Sequence, residues 1–291
     1  MTENKTEISI VLISYNGREF IEDCLRTTVE SLGNTSPEII VIDNASGDGT
    51  TEIIESKFPQ ARIIKNKTNL GFARAVNQGL EAASGEYILL LNQDTRIRGD
   101  AIPKLARKLK SDPRLGTIGP RFVGFDGKLQ YSARAFPRYR DLFFEYTGLA
   151  CLFPRSKIFG RWKMGWFDHV TESEVDQPMG AALMVRREVV DKIGLFDESF
   201  GIFFNDVDYC RRVIEAGYKN LYYPEAVIEH FVGGSTRKRK ARMILESHRA
   251  MFKYFEKYNK SVWGMPILYF WGMVLFISAF IRAGCNKLTR S

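Results

Sequence analysis

Residues 86–95, EYILLLNQDT, run five apolar side chains, Tyr87 to Leu91, straight into Asn92, Gln93 and Asp94. An unbroken apolar run of this length suits a strand buried on both faces, as in a parallel sheet covered by helices on either side. Alternate residues of an extended chain point the same way, so Asn92 and Asp94 are expected to face together beyond the strand end. That arrangement suits a cation, a cation-bound phosphate or an ordinary capped turn. The neighbouring segments decide among them.

Upstream, Ile8–Ser14 (ISIVLIS) and Glu38–Asp43 (EIIVID) read as strands of the same buried kind, and ARIIKN as a shorter third. Helical patterns separate them: from about Arg18 to Leu32, then DGTTEIIESKF with Asp48 or Thr50 near its start, then GFARAVNQGLEAA closed by Ser84-Gly85. Strand and helix alternate, which predicts an α/β fold with a mostly parallel central sheet flanked by helices. In such sheets ligands bind beyond the C-terminal strand ends. Four polar clusters fall there: Ser14-Tyr15-Asn16, Asp43-Asn44, Asn69-Leu70-Gly71 and Asn92-Gln93-Asp94. No GxGxxG follows the first strand and no GxxxxGK[ST] occurs, which argues against a dinucleotide fold and a P-loop. A carboxylate after the second strand suits a ribose or base edge, and an acid after the fourth suits a metal on a diphosphate. Together they point to a nucleoside diphosphate held without a glycine-rich loop.

The 291-residue chain carries a formal charge of +8, unevenly placed. Arg237 to Lys260 hold nine Lys/Arg against two Glu, and Ser261 onward holds three basic residues and no acid, leaving residues 1–236 slightly acidic. A nucleic-acid-binding role, raised by the basic stretch, finds no motif and a main region of the wrong sign. The four cysteines are far apart and form neither a CxxC nor a Cys/His cluster, so neither a zinc framework nor a disulfide scaffold is expected. The N-terminus lacks a basic lead and an apolar region of signal-peptide type, and a cytoplasmic main domain is expected. Ser261–Ile281 contains no charged residue and reaches the ~20 residues a spanning helix needs. Membrane association is favoured over a buried core helix, and with Gly264, Pro266 and Gly272 inside the segment a kinked span, a re-entrant piece, an in-plane helix and packing on a second copy all stay open. The basic run before it is the kind that binds anionic lipid head groups.

Between these parts, Phe122 to Trp166 is dense in aromatic and basic residues and reads equally as core or as an acceptor-facing surface. AALMV is a further strand and RREVVDKIG a short helix. FGIFFNDVDYCRRVIEAG places Asn205, Asp206 and Asp208 at a helix start, where acids are favoured by the dipole and where one can serve as general base. His230 precedes Gly233-Gly234-Ser235 and a basic run, a loop suited to closing over an anion.

Seven segments in order, VLISYN, IIVIDNASGDGT, NLGFARAVNQG, YILLLNQDT, MGAALMVRREVVDKIGLFDESF, FFNDVDYCRR and HFVGGS, resemble the family-2 glycosyltransferases of GT-A fold, in particular rhamnosyltransferase-type members that build bacterial surface polysaccharides. The resemblance covers residues 8 to about 236. It implies a catalytic domain over 1–236 and a basic and hydrophobic helical extension over 237–291. It implies inverting transfer of one sugar, rhamnose or a similar hexose, from a dTDP- or UDP-linked donor to a lipid-linked saccharide at the cytoplasmic face of the membrane. On matching positions Asp206 is the implied base, with Asp208 two residues on as the alternative. Asp94 and His230 are the implied ligands of Mg²⁺ or Mn²⁺. Ser14, Tyr15, Asn16, Asp43, Asn69, Gly71, Arg74, Asn92, Gln93, Ser235 and Arg237 are the implied nucleotide-sugar contacts. Two positions depart from the family pattern: Asn92 stands for the first acid of its DxD motif, and Asn205 for the Glu before its base. Those departures feed a rival reading, a catalytically degenerate binding module at the membrane. The processive synthases' QxxRW motif is missing, which favours single-sugar addition.

Overall fold

The computed structural model describes residues 7–33, 35, 37–231, 240–258, 266, 269–274 and 276–277. β1 (Ile8–Ser14), α1 (Ile21–Leu32), β2 (Glu38–Asp43), α2 (Thr50–Lys57), β3 (Arg62–Lys65), α3 (Phe72–Ala82) and β4 (Tyr87–Asn92) alternate as the hydrophobic pattern predicts. β5 (Thr95–Ile97), α4 (Ala101–Ser111) and β6 (Leu115–Val123) follow. The region that the sequence left illegible forms β7 (Leu129–Gln130), β8 (Ala133–Arg134), α5 (Tyr139–Tyr146), α6 (Leu149–Leu152), β9 (Ser173–Glu174) and β10 (Gln177–Pro178). The chain closes through β11 (Ala182–Arg186), α7 (Arg187–Ile193), α8 (Asn205–Glu215), β12 (Lys219–His230) and α9 (Lys240–Tyr258).

The main sheet has the order β3-β2-β1-β4-β11-β6-β12-β5. β1 to β4 pair in parallel, β11 runs against both β4 and β6, and β12 is parallel to β6. Two reversals cancel, so β1, β2, β4, β6 and β12 all point the same way and their C-terminal ends share one edge. Alternation splits the side chains between two cores. On β4, Tyr87, Leu89 and Leu91 join the core that holds α1 and α4, while Ile88 and Leu90 join the core that holds α3 and α8. β4 ends at Asn92, and Gln93-Asp94 form a turn into β5. Asp94 is therefore placed by that turn and by β12, not by continued strand alternation with Asn92.

α9 shares a core with the rest of the protein. Ala250, Met251, Tyr254 and Phe255, spaced along one helical face, pack on Leu142, Phe200 and Val207. Tyr139 stacks on Phe255 at 4.6 Å between ring centroids. The boundary expected after residue 236 thus falls before a helix that is packed into the preceding region. No helix among the described residues is long and apolar enough to cross a membrane.

Candidate active site

Four groups of side chains gather along the shared strand-end edge. The first is built by β1 and β2. Their register sets Ser14 beside Asp43, and the loops beyond interlock: Asn16 N–H donates to Ser46 Oγ (2.9 Å), Gly47 N–H to Asn16 Oδ1 (2.9 Å) and Gly17 N–H to Thr50 Oγ1 (3.0 Å). Asn16 and Ala45 hold positive φ (48° and 66°), a cost met where a loop is fixed for a ligand. Asp43 is buried. Its Oδ2 accepts Ser46 N–H at 3.0 Å, but its Oδ1 is buried with no partner among the described residues. A buried carboxylate oxygen left unpaired is costly, and an incoming N–H or O–H would satisfy it.

The second group is an amide network behind the first. Asn44 Nδ2 donates to Asn69 Oδ1 (3.1 Å) and to Gly71 O (3.2 Å), and Asn44 Oδ1 accepts Leu70 N–H (2.9 Å). Gly71 sits at φ 87°, ψ 167°, a conformation open essentially only to glycine. Asn69 and Gly71 therefore shape the entry to α3. Arg74, one turn into α3 and exposed, reaches toward Glu198 at 4.0 Å.

Gln93 is used internally. Its Oε1 accepts from Ser14 Oγ (2.8 Å) and Tyr15 N–H (3.0 Å), and its Nε2 donates to Tyr15 O (3.0 Å). Both Oε1 lone pairs are engaged, and a Cβ on Gly17 would lie 2.0 Å from that atom. Gln93 and the fully buried Ser14 are braces that fix Tyr15, where direct ligand contacts were expected. Asn92 is half-buried, and its carbonyl accepts from Thr95 Oγ1 at 2.8 Å.

The third group joins Asp94 and His230, residues 136 positions apart brought together because His230 pairs with Thr95 across β12 and β5. His230 Nε2 lies 3.7 Å from Asp94 Oδ1. Gln130 Nε2 donates to His230 O (2.7 Å), which turns its Oε1 to His230 Nδ1 (3.2 Å). The proton therefore belongs on Nδ1, and Nε2 offers a lone pair to the Asp94 side. Burial drives both groups toward neutrality: Asp94 is pushed up to about 6 and His230 down to about 4. A carboxylate with no side-chain donor of its own, beside a neutral imidazole, suits a divalent cation that accepts both oxygen and nitrogen, such as Mn²⁺, with the remaining ligands from phosphate and water. Among the described residues no cluster of three or more His, Cys, Asp or Glu forms a complete protein cage.

The fourth group surrounds Asp206. Phe204, at φ 66°, turns the chain into α8. Asp206 Oδ2 then accepts Gln177 Nε2 (2.7 Å) and Gly180 N–H (3.1 Å), and Oδ1 accepts Val207 N–H (2.9 Å). Burial raises the carboxyl above the ordinary range. Arg134, opposite Gln177 in the small β8–β10 ribbon, brings positive charge to it, while burial lowers the guanidinium's own affinity for a proton. Asp208, fully buried, is committed elsewhere: Lys257 Nζ at 2.5 Å, Tyr258 OH at 2.7 Å and Arg212 Nε at 3.0 Å all donate to it. About 200° of helix separates the two acids, so they face different neighbours. Gln177, Gly180 and Arg134 were not singled out from the sequence. Gly180 had a signal in MGAA, since a Cβ there would meet Asp206 Cβ at 2.9 Å. Ser235 and Arg237, like Arg239 and most of 261–291, lie outside the described residues. A cavity of about 320 Å³ opens between residues 199–203 and α9, lined by none of Asp43, Asp94 or Asp206.

Residues 9–167 match the profile of glycosyl transferase family 2. The chain is 25% identical over 272 residues to an N-acetylglucosaminyl-diphospho-decaprenol L-rhamnosyltransferase of Mycobacterium tuberculosis, covering 89% of this chain and 87% of that one. It is 26% identical over 259 residues to a poly-beta-1,6-N-acetyl-D-glucosamine synthase of Staphylococcus aureus, covering 85% of this chain and 56% of that one. In fold it is similar to a mannosyltransferase of Pyrobaculum calidifontis solved with GDP-Man and Mn²⁺, at a TM-score of 0.60 and 18% identity over 96% of this chain and 75% of that one.

Proposed function

Since this chain belongs to glycosyl transferase family 2, we propose that it transfers a single sugar, rhamnose or a similar hexose, with inversion, from a nucleoside-diphosphate donor to a hydroxyl of a lipid-linked saccharide. The observation that carries the reading is the placement of three groups along one sheet edge: an unpaired buried Asp43 oxygen, suited to a nucleoside, an Asp94–His230 pair, suited to the diphosphate's cation, and a hydrogen-bonded Asp206, suited to the acceptor.

In this mechanism the acceptor hydroxyl gives its proton to Asp206 as its oxygen bonds to the anomeric carbon. The bond from that carbon to the diphosphate oxygen breaks, and its electron pair leaves with the nucleoside diphosphate on the opposite face. Gln177 and the Gly180 N–H hold Oδ2 and the Val207 N–H holds Oδ1 from one side, so the remaining lone pair of Oδ1 is aimed. Burial that raises the carboxyl makes it a better proton acceptor than an exposed aspartate. Asp94 and His230 would hold Mg²⁺ or Mn²⁺, which supplies Lewis-acid neutralisation of the departing charge. Asp43 accepts a donor from the nucleoside, and Asn69 and Gly71 shape the loop beside it. Ser235 and Arg237 belong to the proposed donor contacts by sequence match.

The relative's acceptor, a sugar on a polyprenyl diphosphate, makes a lipid-linked acceptor the natural class here, reached by peripheral association at the cytoplasmic face. The test is a panel of dTDP-, UDP- and GDP-sugars with a polyprenyl-diphospho-N-acetylglucosamine acceptor, with Mn²⁺ or chelator, on wild type and Asp206→Asn. Transfer from one donor, lost in the variant, supports the reading. Metal-dependent donor binding without transfer to any acceptor would return the protein to the degenerate module.

A further inference from the structure

The α5–α6 region carries an exposed surface that contains none of Asp43, Asp94, Asp206 or His230. Phe143, Leu152, Phe153 and Ile158 are between 48% and 71% exposed. Residues 146–167 contain four Lys/Arg and no Asp or Glu. Of these cations, Arg161 and Lys163 pair inward with Asp141 and Glu145. Arg155 and Lys157 stay exposed beside the apolar tip, with no carboxylate partner among the described residues, and Lys157 lies 5.1 Å above the Trp166 ring. The tip is a built structure: a Cβ on Gly160 or Gly165 would lie 2.1 or 2.3 Å from the Pro154 carbonyl oxygen, so the fold of this turn depends on both glycines. Phe159 packs against Phe144 at 4.9 Å and Phe153 at 5.5 Å.

This surface continues into the C-terminal segment. Tyr146 of α5 meets Trp271 at 6.4 Å between ring centroids, and beyond that contact Tyr269, Phe270, Met273 and Ile277 are exposed. Two apolar patches, far apart in sequence, thus adjoin.

We propose that residues 143–158, together with 269–274, 276 and 277, form the face on which this protein rests on an anionic phospholipid membrane. Exposed aliphatic and aromatic side chains enter the acyl boundary, tryptophan sits at the headgroup level, and unpaired Arg155 and Lys157 meet lipid phosphates. A protein partner is less well matched, since the one acid of the tip, Glu145, is already paired with Lys163 and leaves only cations and large apolar groups to face outward. The proposal deepens the lipid-linked acceptor reading and rests on it. It also gives that reading a geometry: α5 packs on α9, and α9 holds Asp208 on the helix that carries Asp206. The lipid face is therefore tied to the base through two helix contacts.

The test is co-sedimentation of the full chain with phosphatidylcholine vesicles, with and without phosphatidylglycerol. Leu152→Glu/Phe153→Glu/Ile158→Glu is expected to lower partitioning by about tenfold or more. Arg155→Glu/Lys157→Glu is expected to remove the phosphatidylglycerol-dependent part and to leave the rest. All five side chains are exposed, so thermal midpoints and donor-nucleotide binding should stay at wild-type values. Unchanged partitioning in both variants overturns the proposal, as does conversion of a dimer to monomer with no change on vesicles, which would assign the face to a second copy. Donor hydrolysis on the same preparations separates the two readings. Hydrolysis with unaltered vesicle binding removes only the membrane face, whereas lost vesicle binding without any donor turnover removes only the transferase reading.

Discussion

Lys257 Nζ lies 2.5 Å from Asp208 Oδ1, and this contact ties α9 to α8 two residues beyond Asp206. Asp208 is fully buried and its oxygens are shared among Lys257, Tyr258 and Arg212. Lys257 also reaches Asp197 Oδ2 at 2.8 Å, on the segment before the 199–203 loop. One ammonium thus joins α9 to α8 and to the segment before residue 199. Replacing it with Lys257→Met removes the charge and keeps most of the stem. The Arg212 and Tyr258 bonds remain, so the cost should stay below that of stripping a buried ion of every partner, about 1–3 kcal/mol. Thermal or urea unfolding would check it. A variant as stable as wild type would mean that Arg212 alone compensates Asp208.

The two acids of α8 should separate cleanly on mutation. Asp206→Asn keeps the size and the Gln177 and Gly180 neighbourhood but cannot take a proton, so kcat should fall by ~10²–10⁴-fold with folding intact. Asp208→Asn should act the other way, lowering stability through Lys257 and Arg212 while turnover per folded molecule falls far less. The wild-type pH profile should show an acid limb above the ordinary aspartate range, because burial raises Asp206. Activity would be lost as pH drops through that limb. Steady-state kinetics on purified protein decides both points, and full activity in Asp206→Asn would reject it as the base.

Gly180→Ala tests how closely the proposed base is held. The new Cβ would lie 2.9 Å from Asp206 Cβ and 3.1 Å from Oδ2, so the carboxylate must shift by a few tenths of an ångström. Small displacements of a positioned group can cost up to ~10²-fold in rate. We expect a drop in kcat with nucleotide binding unchanged, read by isothermal titration beside kinetics.

The sequence carried some of these relationships and not others, for physical reasons. β1, β2 and β4 were legible because burial on both faces writes a continuous apolar run, and polar residues at their ends stand out against it. The amide network at Asn44 and Asn69 follows directly from those ends. The Asp206 pocket was legible only by half. Its acid shows at a helix start, but Gln177 and Arg134 come from two-residue strands that carry no periodicity. The choice between Asp206 and Asp208 needs the position of α9, a helix that reads locally as a basic, lipid-facing element. Its buried face, Ala250, Met251, Tyr254 and Phe255, shows the helical spacing of a core helix. Gln93 looked like a ligand because it sits between Asn92 and Asp94, and only the fold shows its amide spent on Ser14 and Tyr15.

Asp43→Asn should weaken nucleoside-diphosphate binding by about 10–100-fold, the range for a hydrogen bond to a charged group. The substitution keeps the shape beside Ser46 but removes the charge and one acceptor atom. Because Asp43 Oδ1 is buried and unpaired, the protein without ligand should lose nothing in stability. Titration calorimetry with UDP, dTDP and GDP, paired with thermal midpoints, reads both effects. Equal loss for all three nucleotides would place the contact on the part of the pentose they share, its 3′-hydroxyl, rather than on the base or the 2′-hydroxyl that dTDP lacks.

Asp94 sets stability against function, and the sign follows from its burial. Its folded-state carboxyl is pushed from 3.8 up to about 6, so the folded protein binds that proton more tightly than the unfolded chain. Below about pH 4 the group is protonated in both states and contributes nothing. As pH rises from about 4 to 6 the unfolded chain ionises first, and stability is progressively lost; above 6 the full penalty, on the order of 3 kcal/mol, persists. Asp94→Asn should remove it, raising the thermal midpoint of the metal-free protein at pH 7 while leaving it little changed at pH 4. Mn²⁺ should reverse the order by stabilising only the wild type, since binding to the folded state adds RT ln(1 + [L]/Kd). Thermal scans of both proteins at the two pH values, with chelator and with Mn²⁺, test the whole argument. A variant that gains as much from Mn²⁺ as the wild type would remove Asp94 from the metal site.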